Sequence, residues 1–180
     1  MREEIIAKRY ALGIYKAIDG KNFEETKNEL NAFAEILRSN RELKEFLLNP
    51  FYTKSQKRSV VEAVLKEIKF SDVSSNLILL LIDKGRLHFL PFIINEFVKI
   101  WEDENNIYPV QVYTPLKLDA QIKKEILKSL EKKFGGKVDA EFILDKSLIG
   151  GILIKYKSTY YDGSISGALN KLKEKIIKEN

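Results

Sequence analysis

The spacing of the apolar residues changes once along this chain, near residue 105. Before that point they recur every three to four residues, which is the period of a helix with one buried face. Beyond it, apolar and polar residues alternate in three short segments, which is the period of a strand with one covered face. We therefore predict an α+β chain with two domains, a helical bundle over 1–105 and a small α+β domain over 106–180.

Turn and cap signals divide the first domain into six predicted helices joined by short connections. Thr53 with Gln56 three residues later has the spacing of a capping box at the start of the fourth helix. Asn49 precedes Pro50 and therefore avoids helical angles, which ends the third helix. Gly85 ends the fifth helix, because glycine readily adopts the left-handed conformation found after helices. These signals predict a six-helix bundle.

The fifth predicted helix contains six consecutive apolar residues, 77–82. Six residues cover the whole circumference of a helix, so no side of it is left for water. Two interpretations are open. The helix is either the central core helix of the bundle, or its outward stripe forms part of a groove that binds a partner.

The second domain is predicted to contain a few strands and two helices. Glycine pairs and polar residues separate the segments, and Tyr160-Tyr161 is expected to pair back on the preceding strand. The predicted elements are strands over 108–114, 138–144 and 152–156, and helices over 118–134 and 165–176.

Glycines and a serine between residues 145 and 164 suggest turn and cap chemistry. Gly150-Gly151 predicts a sharp bend that leads into a strand, and Asp162-Gly163 predicts a tight turn. Ser164 is placed to cap the last helix. Neither glycine pair of this domain has the spacing of a phosphate-binding loop, and no histidine near Ser164 in sequence could activate it as a nucleophile. We predict structural roles for these residues.

The composition removes most of the usual materials of an active site. The chain has no cysteine and one histidine, His88, which excludes disulfides, thiol nucleophiles, iron–sulfur clusters and histidine-rich metal sites. We therefore expect no catalytic residue, no cofactor and no metal. No apolar run approaches the roughly 20 residues of a membrane span, and the N-terminus resembles no targeting peptide. We expect a cytoplasmic, unprocessed protein with no direct membrane insertion.

The net charge of +5 comes from the second domain alone. Residues 1–105 hold 17 Lys+Arg and 17 Asp+Glu, whereas residues 106–180 hold 14 and 9. Lysines without any arginine cover the polar sides of both predicted helices of this domain, which leaves a solvated face, an acidic protein partner and nucleic acid as interpretations. These lysines are Lys123, Lys124, Lys128, Lys132, Lys133, Lys171, Lys173, Lys175 and Lys178.

Five short motifs, in order along nearly the whole chain, resemble those of one family. They are Lys8-Arg9-Tyr10-Ala11; Leu48-Asn49-Pro50 followed by Lys57-Arg58; Asn76-Leu77 with 80–82, then Gly85-Arg86-Leu87 and Leu90-Pro91; the stretch 145–151; and Asp162-Gly163-Ser164-Ile165. Each motif alone is weak, but together they resemble the delta subunit of F-type ATP synthase, called the oligomycin-sensitivity-conferring protein in mitochondria.

The resemblance implies a stator subunit that is not an enzyme and that resists the torque of rotation. It implies that 1–105 binds the catalytic head through the N-terminal segment of an alpha subunit, and that 106–180 binds the peripheral-stalk b subunits. One copy per complex is expected, peripheral to the cytoplasmic face of the energy-coupling membrane. The residues expected in the groove are Tyr10, Ala11, Ile14, Asn76, Leu77 and Leu80. Those expected in structural motifs are Gly85, Arg86, Gly150, Gly151, Asp162, Gly163 and Ser164.

An alternative hypothesis belongs to another class of protein. The basic second domain is also compatible with a helical RNA-binding protein, whose binding would depend steeply on salt.

Overall fold

The computed structural model describes the backbone of residues 2–178 and the side chains of 3–170 and Lys173. The chain divides into two compact units, 1–101 and 102–180. The described part contains eight α-helices and one four-stranded sheet, which confirms the predicted α+β class. The side chains of Lys171, Lys175 and Lys178, three of the lysines singled out above, lie outside the described ones.

The first unit is helical, and its helix ends follow the cap residues of the sequence. The Thr53 hydroxyl accepts a hydrogen bond from the Gln56 backbone, and the Gln56 side chain accepts one from the Thr53 backbone, so the capping box is confirmed. The helices are α1 (Arg2–Ala17), α2 (Phe23–Ser39), α3 (Arg41–Leu48), α4 (Lys54–Ile68), α5 (Asp72–Asp83) and α6 (Leu90–Glu104), the last preceded by a 3-10 turn (Leu87–Phe89).

Helix α5 lies at the centre of this unit. Ile78 and Leu81 are completely buried, and the other apolar residues of the 77–82 run are buried as well, except Leu80. Helices α1, α2 and α4 and the 3-10 turn all pack against it. The core interpretation thus holds for five of the six residues of the run, and the sixth, Leu80, is exposed on the surface of α5.

The second unit is a mixed sheet with two helices. The elements are β1 (Ile107–Thr114), α7 (Ala120–Phe134), β2 (Lys137–Leu144), β3 (Gly151–Tyr156), β4 (Thr159–Ser164) and α8 (Ile165–Lys178). Strand β1 pairs in parallel with β2 and antiparallel with β3, and β3 forms a hairpin with β4, so the strand order is β2-β1-β3-β4.

The core of the second unit lies on one face of the sheet. Val110 and Val112 of β1 alternate inward with Val138 of β2 and Ile154 of β3, and Leu130 of α7 packs on them. The inward residues are two apart along each strand, as the pleat requires. The side chains of the predicted strands therefore have the expected alternation.

The prediction of a tight turn at Asp162-Gly163 is wrong. Both residues lie inside β4, where Gly163 is opposite Ile152 and Asp162 is opposite Leu153. The turn instead lies at Lys157-Ser158, with Lys157 at φ 52°, and the expected pairing of Tyr160 and Tyr161 with β3 is confirmed. Cross-strand hydrogen bonds that continue to the end of β4 override the local turn preference of the Asp-Gly pair.

Ser164 caps α8 as predicted. Its hydroxyl oxygen accepts a hydrogen bond from the backbone N–H of Gly167 at 3.0 Å. The Asp162 carboxylate accepts one from the Ser164 N–H at 2.8 Å, so the acid positions the capping residue. The two side chains together stabilise the connection between β4 and α8.

Position 151 requires glycine because its backbone is left-handed and because the paired strand β4 approaches it closely. Its φ is +81°, and a Cβ placed on it would overlap the carbonyl oxygen of Gly163 on the paired strand. A Cβ on Gly150 would lie 2.6 Å from the Ile165 side chain. Gly85, at φ +65°, differs in that an added Cβ there would meet open space.

We expect Gly151→Ala to destabilise the protein more than Gly85→Ala. The left-handed conformation alone costs an L-residue about 1–2 kcal/mol, which both variants share. Overlap with the β4 backbone adds about 1–3 kcal/mol at Gly151. Urea unfolding measures both free energies, and equal losses would contradict the close strand contact.

Adjacent leucines of α5 should differ sharply when they are truncated. Leu81→Ala leaves a cavity in the core and should lower the free energy of unfolding by about 2–5 kcal/mol. Leu80→Ala, the matched control on the same helix, should cost less than about 1 kcal/mol because Leu80 is exposed. A large loss at Leu80 would contradict its position on the surface.

Candidate partner-binding groove

Helices α1 and α5 leave a shallow groove between them, with a volume of about 400 Å³. One wall comes from α1 and the other from α5, which pack directly against each other. The lining is largely apolar, with polar groups from Arg9 and Asn76. The lining residues are Arg9, Tyr10, Gly13, Ile14, Ala17, Val73, Asn76, Leu77 and Leu80.

Each wall follows the helical period. The α1 wall begins at Tyr10 and continues at Gly13, Ile14 and Ala17, three, four and seven residues later, and the α5 wall has the same spacing from Val73 to Leu80. Residues at these spacings share one face of a helix. The groove is therefore formed by two stripes of side chains, one from each helix.

The structure brings together five of the six residues predicted for the groove. Tyr10, Ile14, Asn76, Leu77 and Leu80 all line it. Leu77 is mostly buried, whereas Leu80 is 42% exposed and has the largest exposed fraction among the apolar residues of the five.

Ala11 is the exception among the predicted groove residues. It is completely buried in the core of the first unit and does not line the groove. Being next to Tyr10 in sequence places it about 100° further around the helix, and this rotation turns it into the core. Ala11 thus supports the α1 wall from behind.

The Gly85-Arg86 motif is connected to the groove through Tyr10. Gly85 adopts a left-handed conformation after α5, and the Arg86 N–H donates to the Leu81 carbonyl at 2.7 Å, which completes the helix cap. The Arg86 guanidinium then donates a hydrogen bond to the Tyr10 hydroxyl at 3.1 Å. The motif that ends α5 therefore also holds the tyrosine at the edge of the groove.

Four groove residues were not predicted from the sequence, and a usable signal existed for them. Gly13, Ala17 and Val73 lie three or four residues from predicted residues on the same helix, and Arg9 adjoins Tyr10. Extending each predicted stripe by one helical turn would have included Ala17 and Val73.

A second groove of the first unit, about 800 Å³ in volume, was not predicted from the sequence. It lies between α2, α3 and the start of α6. Leu37, Leu48 and Leu90 are among its apolar lining residues, and Arg38 and Lys44 are among its charged residues. His88 lines it as an exposed side chain, and its ring is tilted by 45° to that of Phe89, with 4.0 Å between the ring centroids.

Hydrogen bonds of exposed side chains account for the shifted pKa values of Asp145 and Lys157. The pKa of the Asp145 carboxyl is lowered because it accepts hydrogen bonds from the Ser147 hydroxyl at 2.7 Å and the Ser147 N–H at 2.9 Å. A hydrogen bond to Asp103 at 3.2 Å raises the pKa of Lys157. Among the side chains that the structure describes, no three from histidine, cysteine or acidic residues converge on a metal site.

Two lysines of the basic face on α7 contact aromatic rings of their own unit. The Lys133 ammonium lies 3.8 Å from the centre of the Tyr161 ring, and that of Lys123 lies 5.2 Å from the Phe142 ring. Cation–π contacts of this kind stabilise the helix on the sheet.

Over the described residues, no helix is both long and apolar enough to span a bilayer.

Comparison with known proteins identifies one family along almost the whole chain. The family described as ATP synthase delta (OSCP) subunit matches residues 6–176. The ATP synthase subunit delta of Syntrophus aciditrophicus is 36% identical over 169 residues, covering 93% of this chain and 93% of that protein. The subunit of the same name from Rickettsia bellii is 31% identical over 181 residues, covering 100% and 96%.

A solved structure has the same fold. A chain in the cryo-EM structure of the Toxoplasma gondii mitochondrial ATP synthase hexamer superposes with a TM-score of 0.62 at 22% identity. The match covers 95% of this chain and 97% of that one.

Gly13→Ala should stabilise the protein. The residue lies within α1, its φ is not left-handed, and an added Cβ meets nothing within 4 Å. Alanine in place of glycine inside a helix gains about 0.5–1 kcal/mol. Urea unfolding measures the gain, and Ala32→Gly, the reverse exchange at an exposed position within α2, should lose a similar amount. A destabilised Gly13→Ala variant would show that the groove wall is already packed.

Proposed function

The chain belongs to the ATP synthase delta (OSCP) subunit family, and from this premise we propose how its two units bind their partners. As a member of that family it is a non-catalytic stator subunit in the peripheral stalk of an F-type ATP synthase. The comparisons offer no support for the alternative of an RNA-binding protein.

We propose first that the helical part, 1–105, is a six-helix bundle that binds the catalytic head. Its partner is the N-terminal segment of an alpha subunit, bound as a short amphipathic helix between α1 and α5. The observation that carries this proposal is the exposed Leu80 in an otherwise buried apolar run, beside a groove lined by Ile14 and Leu77. A helix-in-groove contact buries such surplus apolar surface.

The polar groups at the groove favour a defined orientation of the bound helix. Asn76 is exposed and can both donate and accept hydrogen bonds, and Arg9 adds a positive charge at the side of α1. Tyr10 is held in place by Arg86, so its ring contributes apolar surface at little entropic cost. The expected partner helix has an apolar stripe and an acidic side chain that faces Arg9.

We propose second that the α+β part, 106–180, binds the peripheral-stalk b subunits. The positive charge of this part supports a protein partner that carries acidic residues. With one copy per complex, the chain would tie the head to the stalk and resist rotational torque. Its place is peripheral, at the cytoplasmic face of the energy-coupling membrane.

Calorimetric titration with a synthetic peptide of the alpha N-terminal segment tests the first proposal on the full chain. Leu80→Glu should weaken binding about tenfold or more, because it places a charge in the apolar contact. Phe92→Glu on α6 is the matched control, since Phe92 is 46% exposed but lies outside the groove. The control should bind as the wild type does.

Two results would refute the groove. One is an absence of binding heat with the wild-type chain, and the other is an equal loss of affinity in the Leu80 and Phe92 variants. Thermal unfolding of each variant, measured in parallel, separates lost binding from lost folding.

A further inference from the structure

The dipeptide Asp-Gly occurs twice in this chain, as Asp19-Gly20 and as Asp162-Gly163. Aspartate rearranges readily in this dipeptide, because glycine has no side chain that obstructs attack by its own backbone nitrogen. The structure places the two copies in different surroundings. Asp19-Gly20 lies in an exposed turn after α1, whereas Asp162-Gly163 lies inside β4.

The rearrangement requires only the chain and water. The Gly20 nitrogen attacks the Cγ carbon of the protonated Asp19 carboxyl, so an N–Cγ bond forms and a Cγ–O bond breaks. The proton of the nitrogen and the hydroxyl of the carboxyl leave together as water, and the product is a cyclic succinimide. Water then opens the ring. Cleavage of the new N–Cγ bond restores aspartate, whereas cleavage of the original peptide C–N bond gives isoaspartate, whose main chain runs through Cβ and Cγ.

The turn after α1 is a Schellman cap held by long hydrogen bonds. The Gly20 N–H donates to the Tyr15 carbonyl at 3.4 Å, and the Asp19 N–H donates to the Lys16 carbonyl at 3.2 Å. Ordinary N–H···O hydrogen bonds are shorter than the first of these and extend only to about the length of the second. The nitrogen that must attack is therefore held weakly.

The backbone of Asp19 is strained in this turn. Its φ is 51°, a left-handed conformation at the cap position that glycine usually occupies. A move out of this conformation relieves the strain of an L-residue and breaks only the cap.

The side chain of Asp19 does little to resist this move. It is 90% exposed, and its carboxylate lies 3.8 Å from the Lys21 ammonium, which is also exposed. Contacts between two exposed charges contribute little to stability. Helix ends of this kind open at a small cost in free energy.

Asp162-Gly163 is held much more firmly. The Asp162 carboxylate accepts a hydrogen bond from the Ser164 N–H at 2.8 Å, and a Cβ placed on Gly167 would overlap that carboxylate. Gly163 lies opposite Ile152 in the β3–β4 hairpin. Attack at this site requires the end of the hairpin and the start of α8 to separate, which costs more free energy than the opening of a helix end.

We propose that Asp19 is a site of spontaneous isoaspartate formation in the folded chain and that the fold protects Asp162. The exposed turn makes the modified residue a substrate for methyltransferases that recognise isoaspartyl carboxylates. Isoaspartate adds one carbon atom to the main chain directly after α1, so the cap hydrogen bond of Gly20 cannot keep its geometry. The end of α1 that carries the groove residue Ala17 is weakened as a result.

Incubation of the full chain at neutral pH for several weeks, followed by trypsin digestion, tests the site. Trypsin releases the two Asp-Gly pairs in separate peptides, 17–21 and 158–171. Electron-transfer fragmentation identifies isoaspartate, because cleavage of its additional main-chain Cα–Cβ bond gives fragments that aspartate does not give. Isoaspartate should accumulate in peptide 17–21 about tenfold or more faster than in peptide 158–171, since the two sites differ in the cost of opening.

The same incubation in guanidinium chloride provides the reference. Unfolding removes the difference between the sites, so both peptides should then accumulate isoaspartate at similar rates. Circular dichroism verifies that the native sample stays folded. Equal accumulation in both peptides of the native chain would refute protection by the fold. Isoaspartate that appears in peptide 17–21 only in guanidinium chloride would refute the reactive turn.

Asp19→Glu provides an independent test, because glutamate must close a larger ring and does so far more slowly. The readout is methyl transfer from S-adenosylmethionine to the aged, intact chain by an isoaspartyl methyltransferase. Asp19→Glu should lose most of the methyl incorporation. Asp139→Glu, the matched control at an exposed aspartate of β2 that precedes alanine, should keep the wild-type level. Thermal unfolding verifies that both variants fold, and methyl incorporation that persists in Asp19→Glu would overturn the assigned site.

Discussion

The burial of the apolar run of α5 is the constraint on which the first unit depends. A helix with six consecutive apolar residues cannot face water on any side, so neighbours must surround it. Helices α1, α2 and α4 with the 3-10 turn do so, and Ile78 and Leu81 become inaccessible. The groove exists where this enclosure is incomplete, because α1 presents Gly13 and Ala17 and leaves Leu80 uncovered. Core and candidate site are therefore two consequences of one hydrophobic run.

The second unit depends in a similar way on a close backbone contact. Strand β3 starts at Gly151, whose missing side chain lets the end of β4 pair against it. That pairing brings the loop before β3 next to the start of α8 and thereby exposes Ile149 beside Ile165. The missing side chain of Gly151 thus permits the close pairing of β3 and β4, and this pairing positions Ile149 and Ile165.

Much of the fold could be predicted from local signals, because those signals act over a few residues. The capping box at Thr53, the cap at Ser164 and the alternation of the strands are satisfied by neighbours in sequence. Asp162-Gly163 was predicted wrongly because its turn preference competes with pairing to Leu153 and Ile152, nine and eleven residues earlier in the chain. Ala11 was assigned to the groove by motif, although a rotation of one residue directs it into the core. Five of the six predicted groove residues do line one groove, since helical period and motif agree there.

The sequence by itself determined the division into a helical and a mixed part, the order of the elements and, through its motifs, the family. These properties follow from hydrophobic periods, helix caps and short motifs, all of which depend on residues close together in the sequence. Only the tertiary structure decided that Leu80 is the exposed member of its run, that Arg86 holds Tyr10, and that Asp162 and Gly163 lie inside a strand. Exposure and proximity depend on which surfaces the other elements cover, and this depends on packing between segments far apart in the chain.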